Sequence, residues 1–237
     1  MVKKFLILWL FACYLLSFSF EPYETKIIKL VGNNAVVQNS DKVSIGSSGI
    51  VIHNFDNEHR TIITKAVVVK KDPNYMYLKL YYYKDLNMDA LPSYKIIPKA
   101  GDTVIFNYLY NRVLPIVPNK EAFLEFKRKF PYLDIIHPDL FAYELAVESN
   151  PAPKISDFRN ECNSDDFGLL FFALDDKGYF VDCTSFKVVG KISFPTEGKK
   201  QTPFYTRIKK IEPKFFGLGS EEIKDFDKYY KNLLGIK

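Results

Sequence analysis

The chain has 237 residues, of which 47% are hydrophobic, 16% aromatic and 26% charged, long enough for one large or two small domains. Its 33 Lys and Arg face 28 Asp and Glu, and a formal charge of +5 is too weak a footprint for nucleic acid. Three histidines and three cysteines leave few parts for a metal or redox centre.

At the N-terminus, Lys3 and Lys4 precede the apolar run from Phe5 to Leu16, and the small residues Ser17 and Ser19 follow. That is the layout of a secretory signal peptide over residues 1–19, with cleavage expected after Ser19. The apolar run falls short of the roughly 20 residues that a spanning helix needs. Retention as an N-terminal anchor, or lipidation at Cys13 within "LFAC", are the alternatives. Cys162 and Cys183 lie beyond this segment, and export to an oxidising compartment permits a bridge between them. Such a loop would restrict the unfolded chain by about 3 kcal/mol in the entropic account. Two separate buried thiols are the alternative, and without a CxxC pair or a nearby histidine a zinc shell is the weaker reading.

From Thr25 to Val117 the sequence predicts short strands separated by turn chemistry. "TKIIKLV" and "AVVQ" flank "GNN" at 32–34, and "SSGIVIHNF" precedes "TIITKAVVVKK". A "DPN" turn at 72–74 then leads into "YMYLKLYYY". In that last run Tyr75, Tyr77, Lys79, Tyr81 and Tyr83 alternate with Met76, Leu78, Leu80 and Tyr82, so one face is core and the other a tyrosine ladder. "DTVIFN" and "RVLPIV" form a further expected pair after "KAGD", with Pro115 demoting the second to an edge or a bulge. Residues 20–118 thus read as a β-rich barrel- or sandwich-like half.

Residues 119–237 change pattern. Pro118 and Asn119 are placed to start a helix with Phe123, Phe126 and Phe130 on one face, and Pro131 stops it. "HPDLFAYELAV" predicts a second helix, and Leu140, Phe141, Tyr143, Leu145 and Val147 make it so broadly apolar that a sandwiched position is expected. "KISDFRNEC" predicts a third helix reaching Cys162. "GLLFFALDD", "YFVDCTS" and "FKVVGKISF" predict a three-stranded meander, with "DDKG" at 175–178 as a hairpin turn. A strand over "FYTRIKKI" and a terminal helix with Ser220 as N-cap complete the half. Ile223, Phe226, Tyr230 and Leu233 form that helix's stripe, and Gly235 its C-terminal stop. The fold class is therefore α+β.

Catalytic constellations are missing from the sequence. His53, His59 and His137 are scattered, with no HExxH and no carboxylate at ligand spacing. Ser44, Ser47 and Ser48 in "SIGSSGI" lack the GxSxG frame and read as a turn. The pairs Asp165-Asp166 and Asp175-Asp176 lack the alternating ligands of a calcium loop and read as caps and turns. No enzyme, cofactor or metal is expected. Charge does segregate, because residues 199–237 carry ten Lys/Arg against five Asp/Glu, making the C-terminal region the end suited to an acidic partner.

The order of "KAGDTVIF" with "LPIVPN" (98–119), "PKISDFRNECN" (153–163), "DCTSFKV" (182–188), "QTPFYTRI" (201–208) and "FDKYYKNLL" (226–234) resembles the N-terminal domain of the bacterial surface plasminogen-binding protein family. The resemblance covers nearly the whole chain after the signal segment, most clearly from Gly101 to Leu234. It implies non-enzymatic binding: members sit at the surface of Gram-negative pathogens and capture host plasminogen through lysines that enter its kringle domains. A kringle lysine site takes a cation and a carboxylate at a fixed separation, which a C-terminal lysine supplies in one residue through two charge-assisted contacts. Lys237 meets that requirement, with Lys228 and Lys231 as supports. The family's long, charged, lysine-terminated tail is not present in this sequence, and Lys237 stands three residues beyond Leu234. An exported protein of the periplasm or cell surface is expected. The rival reading is a periplasmic structural or envelope-assembly protein with envelope protein partners and no plasminogen binding.

Overall fold

The computed structural model describes residues 20–56, 58–82, 96–208, 210–213 and 221–236. The signal segment with its two alternatives, Tyr83, Ser220 and Lys237 lie outside the described residues. Among the described residues no helix is long and apolar enough to cross a membrane.

The first seven strands are Tyr23–Lys26 (β1), Lys29–Val31 (β2), Asn34–Gln38 (β3), Ser48–Asn54 (β4), Arg60–Lys71 (β5), Tyr75–Tyr82 (β6) and Thr103–Phe106 (β7). They form one antiparallel sheet in the order β1-β7-β4-β5-β6-β3-β2. Its two edges, β1 and β2, are consecutive in sequence and joined through Ile27 and Ile28. Ile27 N–H donates to Asp102 O at 2.9 Å on the β7 side, and Ile28 N–H donates to Val36 O at 2.8 Å on the β3 side. One bent strand thus serves both edges and curls the sheet into a barrel-like form, which leaves little open edge for aggregation. The alternation of β6 is what fills it: Met76, Leu78 and Leu80 are buried with Val37, Val51, Ala66 and Val104. Tyr77 and Tyr81 stay on the outer face, under the ammonium groups of Lys70 and Lys79 respectively.

The second sheet holds Arg112–Ile116 (β8), Asp134–Ile135 (β9), Leu169–Leu174 (β10), Lys177–Asp182 (β11) and Val188–Ser193 (β12), in the order β12-β11-β10-β8-β9. β8 runs parallel to β10, with Phe171 opposite Pro115, and belongs to this sheet; the expected pairing of "DTVIFN" with "RVLPIV" is therefore incorrect. Pro115 is also not on an edge strand. Val113 O accepts from Ile136 N on the β9 side, so two residues later the proline nitrogen faces that same side, where β9 has already ended. Its missing N–H leaves no ladder bond unmade.

Among the described residues four helices cover the sheet: Lys120–Lys129 (α1), Pro138–Glu148 (α2), Ile155–Ser164 (α3) and Phe226–Leu234 (α4). The run "LLFFAL" of β10 is buried at every position because both faces are covered. Leu169, Phe171 and Ala173 cluster with Phe123 and Phe126 of α1 and with Phe130 just after it, while Leu170, Phe172 and Leu174 cluster with Phe141, Phe158 and Tyr230 of the other three helices. Asn119 caps α1 by accepting from Ala122 N at 2.9 Å, and His137 caps α2 from its side chain with Pro138 behind it.

Three expectations are corrected here. α2 is not sandwiched: Phe141, Ala142 and Leu145 are buried, but Leu140, Tyr143 and Val147 face outward and are 53%, 64% and 69% exposed. Residues 204–208 form no strand. Phe204 stacks on Phe141 at 5.5 Å, Tyr205 N donates to Val117 O, and the Asp139 carboxylate takes Thr206 Oγ1, Arg207 N and Arg207 Nε. With its polar groups claimed by side chains, that backbone cannot enter a ladder. The terminal helix starts at Phe226 with Asp225 as N-cap, later than Ser220 would place it.

Candidate functional site

Two of the residues singled out for binding, Lys228 and Lys231, lie on α4. Phe226 and Tyr230 are buried, with Tyr230 Oη donating to Pro203 O at 2.8 Å and Tyr229 Oη to Pro153 O at 3.1 Å, so the helix is held to the body at two heights. Its hydrophilic face points outward with Lys228. Asp225 accepts from Lys228 N at 3.0 Å, and Asp227 places a second carboxylate in the first turn, where the helix dipole favours it.

The far end is closed by backbone geometry. Gly235 adopts φ 65°, its N–H donates to Asn232 O at 3.1 Å, and Ile236 N–H donates to Lys231 O at 3.0 Å. This is the paired bonding of a Schellman stop, which a residue with a Cβ would strain. Ile236 packs against the core cluster that contains Tyr230. The chain is therefore pinned one residue before Lys237.

A shallow depression of about 430 Å³ lies here, lined by Asp175, Asp225, Asp227, Lys228, Lys231 and Asn232, with Ile236 at its end. Lys231 Nζ bonds the Asp175 carboxylate at 2.8 Å, a contact that holds its ammonium above the usual lysine range. Lys200 pairs with Asp227 in the same way. The Lys228 ammonium has no ion-pair partner among the described residues and is exposed. The surface thus offers one free cation, one engaged cation, and carboxylates within the same depression. Structurally the two supports Lys228 and Lys231 are brought together.

Cys162, in α3, and Cys183, just after β11, form a disulfide with Cα atoms 6.0 Å apart. It ties the helical layer to the strand end that faces the barrel.

Several polar residues were invisible to motif reasoning. Asp182 at the end of β11 is fully buried and accepts from Ser48 N at 3.1 Å, Tyr110 Oη at 2.7 Å, Ser48 Oγ and Ser185 N. Burial pushes its carboxyl up, while these donors pull it back. Ser48 accordingly starts β4 and is buried, so the turn reading of "SIGSSGI" is wrong for that residue. Each histidine also has a carboxylate neighbour that sequence spacing did not show. His53 Nδ1 lies 2.8 Å from Asp102 beside the neighbouring strand β7, His59 Nδ1 2.8 Å from Asp56, and His137 Nδ1 3.4 Å from Asp139. Among the described residues none of these pairs has a hydroxyl or thiol nucleophile hydrogen-bonded to the imidazole. A burial signal was available only for Asp182, which stands in the apolar run "YFVDC".

The family model described as Plasminogen-binding protein pgbA N-terminal matches residues 22–234. Plasminogen-binding protein PgbA of Helicobacter pylori strain J99 is 23% identical over 196 residues, covering 81% of this chain and 43% of that protein. Plasminogen-binding protein PgbA of Helicobacter pylori strain 26695 is 22% identical over 196 residues, covering 81% and 42% respectively. The chain thus matches less than half the length of these two relatives.

Proposed function

Because the chain belongs to the family of the plasminogen-binding protein PgbA N-terminal region, we propose that it is an exported, non-enzymatic binding protein whose partner is plasminogen. The match over residues 22–234, which takes in both sheets and all four helices, is the observation that carries this reading. Its physical basis is the lysine-bearing surface of α4. A kringle lysine site needs a cation and a carboxylate presented together, and Lys228 stands unpaired in a depression that also holds Asp175, Asp225 and Asp227. Lys237 supplies both groups if its carboxylate is free, and Lys231 becomes available on release from Asp175. Surface plasmon resonance on immobilised plasminogen tests the reading. Saturable binding should be displaced by 6-aminohexanoate and weakened about tenfold, or about 1.4 kcal/mol, by Lys228→Ala combined with deletion of Lys237. Binding that ignores both the lysine analogue and the deletion removes the lysine mechanism.

A second reading is favoured by a separate feature. Leu140, Tyr143 and Val147 give α2 an outward apolar stripe, the kind of surface that meets another protein. It suits a periplasmic structural or envelope-assembly protein. Protease shaving of intact cells separates the two, since a periplasmic chain stays protected and a surface chain is cut.

A further inference from the structure

A cleft of about 640 Å³ opens where the barrel meets the second sheet, with no residue of α4 in its lining. Its barrel wall is Ile45, Gly46, Val67 to Val69 and Tyr81. Its other wall is Arg159 of α3 and the segment Thr184 to Val188 between β11 and β12, without Phe186. The volume lies within the roughly 300–1,000 Å³ of small-molecule sites.

The lining is chemically one-sided, with two cations, hydroxyls, apolar side chains and no carboxylate. Several cations elsewhere on the molecule are neutralised by acidic partners: Arg112 by Asp134, Arg128 by Glu125, Arg207 by Asp139, Lys210 by Glu222. Arg159 and Lys187 have none among the described residues. Arg159 spends one donor on Ser185 O at 3.3 Å and keeps the rest of its guanidinium free.

The rim is fixed in advance. Ser185 Oγ donates to Gly46 O at 2.7 Å and accepts from Lys187 N at 3.1 Å, while Ser185 N is held by the buried Asp182. Gly46 sits at φ +95°, and a Cβ there would come within 2.7 Å of Lys187 Cβ, so the lysine stem lies flat against glycine backbone. The apolar part is also unusually open to water. Ile45, Val69 and Tyr81 are 55%, 49% and 40% exposed, and the register shift between Val68 and Lys70 accompanies Val69's outward turn.

We propose that this cleft binds a small amphipathic carboxylate, its anionic head held by Arg159 and Lys187 and its hydrocarbon body laid along Ile45, Val69 and Tyr81. Two unpaired cations select a negative group, and the apolar majority of the lining disfavours a fully polar anion such as inorganic phosphate. Removing that hydrocarbon from water supplies the remaining attraction. The site is independent of the plasminogen reading, since none of its residues belongs to α4.

Decanoate is the probe, with decanol and decyltrimethylammonium as controls, followed by calorimetry and by amide chemical-shift mapping of the whole protein. Decanoate should bind saturably with one-to-one stoichiometry, and the cationic amphiphile should not. Shifts should concentrate at Val67 to Val69, Tyr81 and Thr184 to Val188. Arg159→Gln with Lys187→Gln, both exposed positions, should weaken decanoate at least tenfold with unchanged thermal unfolding. Absence of saturable decanoate binding overturns the proposal, as does equal affinity for decyltrimethylammonium. Wild-type shifts centred elsewhere overturn it too, whether or not the double variant folds.

Discussion

The side chain of Ser48, at the start of the barrel strand β4, donates to the carboxylate of Asp182, at the end of β11 in the other sheet. Ser48 N adds a second contact to the same oxygen at 3.1 Å, and Tyr110 Oη a third at 2.7 Å. A single buried carboxylate therefore joins the two sheets. Desolvating a charge is costly, and it is tolerated here because donors from three separate segments converge on it. Asp182→Ala should destabilise the protein by about 3 kcal/mol or more, because it strands these donors in a dry interior. Asp182→Asn keeps the shape and part of the accepting capacity and should cost less. Urea denaturation of both variants checks this, and a loss below about 0.5 kcal/mol for the alanine variant would show that the junction is held by apolar packing instead.

Glu161 behaves in the opposite way. It is 1% exposed, and neither carboxylate oxygen has a partner that can donate. Burial, reinforced by the adjacent Glu144, pushes its carboxyl up to about 8 from 4.5. The folded protein therefore holds a proton there that the unfolded chain releases, so stability is greatest below pH 4.5 for this group and declines as pH rises toward about 8. Glu161→Gln supplies its own donor and removes the titration. The variant should nearly match the wild type near pH 4.5 and exceed it by a margin that widens as the pH rises to about 8. Thermal unfolding across that range is the measurement, and parallel profiles for the two proteins would assign the pH dependence to other groups.

Local and periodic signals explain what was readable in advance. The α+β class, the helix over Phe123 to Phe130, the buried alternation of Met76, Leu78 and Leu80, and the glycine stop at Gly235 all depend on residues close together in sequence. The misreadings arise where a distant partner decides. β8 looked like the mate of β7 because they are adjacent, yet its parallel partner is β10, and parallel pairing leaves no turn signature. "FYTRIKKI" has strand composition, but Asp139 on α2 captures donors of Thr206 and Arg207 in its middle. The face of α2 was misjudged because apolar periodicity reports what could be buried, without saying whether anything covers it. At the candidate site the lysines themselves were visible, whereas the tie between Lys231 and Asp175 required a hairpin turn and a helix from different parts of the chain.

The Cys162–Cys183 bridge closes a loop between positions 21 residues apart. Replacing both cysteines with alanine should lower stability by about 3 kcal/mol through the freer unfolded chain. The α4 surface contains neither cysteine, so the proposed binding to plasminogen should be unchanged at temperatures where the variant stays folded. Denaturation curves and plasmon resonance on the same sample test the two parts. A variant that loses binding while fully folded would connect the bridge to the site.

Lys228 and Lys231 are three residues apart on the same helix, yet only one is free to meet a partner. Lys231 is held by Asp175 at 2.8 Å, a half-exposed contact, so its release costs little but is not free. Asp175 also occupies the left-handed turn with φ 44°, a conformation that asparagine accepts readily. Asp175→Asn therefore removes the competing charge without disturbing the hairpin. If α4 lysines enter a kringle, this variant should bind plasminogen about two- to threefold more tightly. The gain should vanish in the Asp175→Asn, Lys231→Ala double variant, because the freed ammonium is its source. An unchanged affinity for the single variant would exclude Lys231 from the contact. A loss would mean that Asp175 itself serves as the carboxylate that the kringle reads beside Lys228.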